Sequence, residues 1–111
     1  MDRLAGYRQI IRRILAEYDG IKDSSGDSVT EIVFDGANDR YLVLDQGWEG
    51  VKRVHSVVLH VEVINGKVWL QCNNTDVDIA QDMVLAGIPR EHIVLGLHEP
   101  EVRQYTEYAA A

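Results

Sequence analysis

Apolar positions near the start of the chain recur every three or four residues. Leu4, Tyr7, Ile11, Ile14 and Tyr18, with Ile10 and Leu15 beside them, share one stripe and predict a helix over about residues 2–18. Gly20 follows the last of them and suits a C-terminal cap. Residues 22–28, including Ser24, Ser25, Gly26 and Asp27, carry no pattern and read as a loop. From residue 29 to 74 the period becomes two. Residues 29–35, 40–48, 51–64 and 67–73 predict four strands, punctuated by Gly36-Ala37-Asn38-Asp39, Glu49-Gly50 and Asn65-Gly66.

Two of these turns set registers. Asn and Gly both tolerate the positive φ of a type I′ turn, so Asn65-Gly66 places Ile64 opposite Lys67, Val63 opposite Val68, Val61 opposite Leu70 and Leu59 opposite Cys72. A two-residue turn at Glu49-Gly50 places Trp48 opposite Val51, Leu44 opposite His55 and Leu42 opposite Val57. Leu42, Leu44, Val57, Leu59, Val61, Val63, Val68, Leu70 and Cys72 then share one face, which Ile32 and Phe34 extend. This is the expected core, covered by the N-terminal helix.

Helical spacing returns at Ala80, Met83 and Val84, with Thr75 and Asp78 as a capping-box-like start and Gly87 as the end. Pro89 opens a tight turn, Ile93-Val94-Leu95 reads as a last short strand, and Glu99-Pro100 breaks it. The expected fold is α+β: an N-terminal helix packed on a four- to five-stranded, mainly antiparallel sheet, with a short second helix toward the C-terminus. One domain spans residues 1–111, since a chain of this length holds one core.

Composition changes the picture mainly through charge. The formal net charge is −7, yet residues 1–18 set Arg3, Arg8, Arg12 and Arg13 against Asp2 and Glu17, a balance of 4 − 2 = +2. The remainder holds −9, which argues against direct nucleic-acid binding, because DNA is usually met by a Lys/Arg surface. No run approaches the roughly 20 apolar residues of a membrane span. Cys72 is the only cysteine, so an internal disulfide and a cysteine-based zinc cage are excluded, and a reducing cytoplasm is the natural setting.

Candidate chemistry is sparse, and the reading is of a protein that is not an enzyme. His60 and Glu62 share a side of a strand, but nothing at useful spacing completes a metal site around them; His55, His92 and His98 read as structural. Ser24, Ser25, Ser28 and Ser56 lie in no nucleophile elbow, and the glycines form no phosphate-binding loop. Glu62-Val63-Ile64 lacks the lysine of a metal-dependent nuclease motif, and Arg103 with Tyr105 is too little for a tyrosine recombinase. No catalytic residue, metal or cofactor is expected.

The second sheet face holds more. Tyr41, His60, Glu62, Trp69 and Gln71 mix aromatic and polar groups, as interfaces do. Three readings stay open: a cover by the second helix, a protein interface including a homodimer or higher oligomer, and a small-ligand platform. Arg8 and Arg12, four apart on the helix, are either a solvated face or a docking stripe.

The residues also resemble a known family. Leu4-x-x-Tyr7-Arg8-Gln9-Ile10-Ile11, Phe34-Asp35 with Asp39-x-Tyr41, Gly47-Trp48, the stretch Val58-Leu59-His60-Val61 through Trp69-Leu70-Gln71, Ala86-Gly87-Ile88-Pro89-Arg90 and Pro100-x-x-Arg103-x-Tyr105-Thr106 are similar to XisI-family proteins over essentially the whole chain. The resemblance implies an accessory factor controlling excision of the fdxN element in filamentous cyanobacteria. Such a factor is required alongside XisH, a nuclease-like protein, while a separate recombinase cuts and joins the DNA. It brings no catalytic residues. It makes an XisH-like protein the expected partner. Arg8, Arg12, Arg103 and Tyr105 are the candidate contacts for such a partner. Alternatives are an inhibitor of a nuclease partner, in the manner of an immunity protein, and a ligand sensor using the second sheet face.

Overall fold

The computed structural model describes residues 2–22 and 26–111; Ser24 and Ser25, read above as loop, lie outside them. Helix α1 (Arg3–Ala16) starts at Asp2, whose carboxylate accepts from the Leu4 amide at 3.1 Å. Tyr7, Ile11 and Leu15 bury one stripe of it, and Leu4, Ile10, Ile14 and Tyr18 pack beside them. Gly20 does not cap the helix; its amide donates to the Thr30 carbonyl and turns the chain onto the sheet.

Strands β1 (Ser28–Asp35), β2 (Arg40–Glu49), β3 (Lys52–Ile64) and β4 (Lys67–Asn73) run as an antiparallel meander. The two-residue strand β5 (Ile93–Val94) joins β4 in parallel. Helix α2 (Ile79–Ala86) begins at Asp78, not Thr75: Asp78 accepts from the Gln81 amide, while Thr75 closes a side-chain turn with Asn73. Gly87, at φ 123°, ends it. A 3₁₀ turn at Arg90–His92 and a four-residue helix α3 (Pro100–Arg103) complete the chain. Both α1 and α2 cover one sheet face, with Ile79, Ala80 and Met83 in the same cluster as the α1 stripe.

The Asn65-Gly66 turn forms as expected, with φ 51° and 80°, pairing Ile64 with Lys67. The preceding turn sits one residue later than expected, at Gly50-Val51 between Glu49 and Lys52. Primed turns need positive φ at their first central residue, which glutamate resists; the shift gives that place to Gly50, at φ 62°.

A displacement of the turn alone preserves faces. Two bulges do not. Val43 pairs Leu59 but Leu44 pairs Val57, leaving Val58 extra; Val61 pairs Leu70 but His60 pairs Cys72, leaving Gln71 extra. The first reverses β2 relative to the body of β3. Tyr41 and Val43, not Leu42 and Leu44, therefore join Leu59, Val61, Val68 and Leu70 in the core. Leu42, Leu44, Val57 and Cys72 face away from the helices.

Candidate interaction surface

Tyr41 is fully buried on the helix side of the sheet, so it leaves the expected second-face group. Its ring meets Phe34 edge-on at 5.6 Å and lies 5.6 Å beneath the Arg12 guanidinium. Its hydroxyl donates to Asp39 at 3.2 Å. Arg8 grips the same carboxylate with two bonds, 2.7 and 3.1 Å, fastening α1 to the turn between β1 and β2. The hydrogen bond from Arg8 holds the Asp39 carboxyl below the usual carboxylate range, against a smaller opposing effect of burial. Burial, then the Asp39 charge, pushes the Tyr41 phenol up. Arg8 is thus committed within the chain, while Arg12 keeps an exposed edge over Tyr41.

The outer face carries the other four residues of the expected group. His60 and Glu62 share a hydrogen bond of 2.8 Å, and Glu62 pairs with Trp69 across the ladder, as expected from the register. Gln71 is bulged out between Leu70 and Cys72. The cover is not α2 but the turn of residues 96–103. Gly96 lies so close that a Cβ there would be 3.1 Å from the Trp69 ring and would collide with the Gln71 amide. Arg103 lies 5.1 Å over the Trp69 ring and donates to the carbonyls of His98 and Gly96 at 3.0 and 3.2 Å, so it too is engaged within the chain. Tyr105, by contrast, is 82% exposed, next to exposed Val102.

This cover reaches only the β4 margin. Beyond it Val33, Leu42, Leu44 and Val57 form an apolar patch on the side away from the helices; Val33 is 45% exposed and the other three are half-buried. The patch is reached by no sequence argument that misses the Val58 bulge. Among the described residues no three of His, Cys, Asp and Glu cluster as metal ligands, and no pocket opens on the face. Among the described residues no helix is long and apolar enough to cross a membrane.

The arrangement defines a small helix-backed sheet domain distinguished by a surface and not by a cleft. The chain belongs to the XisI family: the family's sequence model, described as XisI protein, matches residues 1–110. A XisI-like protein from Anabaena variabilis ATCC 29413 is 37% identical, with 98% of this chain and all of that one aligned and a TM-score of 0.91. The fdxN element excision controlling factor XisI from the same organism is 38% identical, covers 99% and 100% of the two chains, and gives a TM-score of 0.86. Among curated proteins none matches.

Proposed function

We propose that this chain is a non-catalytic regulatory subunit that controls excision of a DNA element by binding a nuclease-type, XisH-like protein. The observation that carries the reading is full-length similarity to a relative named as an fdxN element excision controlling factor. The net charge of −7 supports action through a partner: it disfavours contact with DNA and favours fast, selective association with a basic protein. Of the four candidate contacts, Tyr105 and the exposed edge of Arg12 are free to meet a partner, while Arg8 and Arg103 serve the fold. A cytoplasmic setting accords with this role.

The test is co-expression with the XisH-like protein of the same genome, capture of either chain, and the mass of the eluate. A stable complex that weakens as salt rises supports the reading, since charge attraction is screened. Absence of a complex at low salt removes it. Omitting this chain from an excision assay gives the sign: lower activity means an activator, higher activity an immunity-like inhibitor.

A further inference from the structure

Among the described residues, the outer face of the sheet is a broad surface that neither the fold nor the proposed partner reading accounts for. Its centre is Val33, Leu42, Leu44 and Val57. Around it the strands send out Glu31, Asp35 and Glu62 against Arg40, Arg53 and Lys67, a balance of 3 − 3 = 0 in a chain of net −7. An apolar centre with a rim of both signs is the anatomy of a protein interface. The neutrality selects the occupant. A basic partner gains nothing from a neutral face and would be drawn to the acidic remainder. A second acidic copy would be repelled by most of the surface and least opposed here.

The sheet edges agree with this. Pairing through sheet edges is hindered at both ends. On the β1 side, Gly20 and Ile21 exchange bonds of 2.8 and 2.7 Å with Thr30, and Lys22 bridges Val29. On the β5 side, the Ala109 amide donates to the Ile93 carbonyl at 2.8 Å. We infer that the chain forms a two-fold homodimer by stacking this outer face on that of a second copy.

Sedimentation velocity of the purified full chain across a concentration series tests this without any partner. Wild type should give twice the mass of one 12.5 kDa chain. The dimer should tighten as salt rises, because screening relieves repulsion between two chains of net −7. Val33→Glu and Leu44→Glu should each weaken it by about tenfold or more. Val33 is half-exposed on an outer strand, so its variant keeps the fold, which circular dichroism checks. Val51→Glu, at the 99% exposed hairpin tip, should leave the mass unchanged. A wild type that stays monomeric, or a dimer that survives both outer-face variants, overturns the inference. So does a monomer whose Val33→Glu variant loses only the XisH-like protein, which would give the face to that partner.

Discussion

Gly96→Ala drives a methyl group into the contact that closes the C-terminal turn over Trp69. The added carbon would lie 3.1 Å from the ring, where carbon pairs prefer ~3.5–4.0 Å, so ring or turn must give by about half an ångström. It also collides with the Gln71 amide, which can swing away at about 0.5–1.5 kcal/mol if it leaves a rotamer well. The ring is less free, because Arg103 lies over it and is itself held by two carbonyls. With overpacking at ~1–3 kcal/mol, a loss of about 2 kcal/mol is expected. For a chain of this size that lowers the unfolding midpoint by roughly 10 °C, read by tryptophan fluorescence and far-ultraviolet circular dichroism. Adding Gln71→Ala should restore only part of the loss, since the ring contact remains. A Gly96→Ala protein melting within about 1 °C of wild type would refute the close packing of this turn.

Asp39→Asn should destabilise the protein at neutral pH and much less in acid. The folded-state pKa of Asp39 is lowered, so its contribution is fully present above the ordinary carboxylate value of about 4 and is lost as pH falls through the folded value. The gap between wild-type and variant melting temperatures should therefore close below about pH 4. At the β2–β3 hairpin, Gly50→Ala should cost about 1–2 kcal/mol in urea unfolding, because φ there is 62°. Glu49→Ala, one residue earlier, should be near neutral, and the reverse order would restore the turn first expected from the sequence.

What could be read in advance depended on how strongly each segment discriminated between faces. Helix α1 was legible because its polar positions alternate cleanly with its apolar stripe. So was β3–β4, where Asn65-Gly66 admits one turn and Val61, Val63, Val68 and Leu70 are opposed by Glu62 and Lys67. Strand β2 was not. Tyr41-Leu42-Val43-Leu44 is apolar on both sides, so period two could not say which side was core, and Val57-Val58-Leu59 hides a bulge within an apolar run. Period two alone therefore puts Tyr41 on the surface and Leu42, Leu44 and Val57 in the interior, the reverse of what forms. The roles of Arg8 and Arg103 were illegible for another reason: their partners, Asp39 and the carbonyls of residues 96 and 98, are brought near only by the complete fold.

The Tyr7 hydroxyl and His92 Nδ1 meet at 2.6 Å across 85 residues of chain. During synthesis the first helix therefore leaves the ribosome long before the side chain that tethers it. The meander of β1 to β4 can zip by local hairpins meanwhile, since each strand pairs with its successor. Its helix-facing side stays partly bare until Ile79, Met83, Ile88 and Ile93 arrive to share the burial with Ile11 and Leu15. Vectorial production thus leaves a window in which the nascent sheet exposes apolar surface on both sides, the period in which it is most vulnerable to aggregation or capture by chaperones.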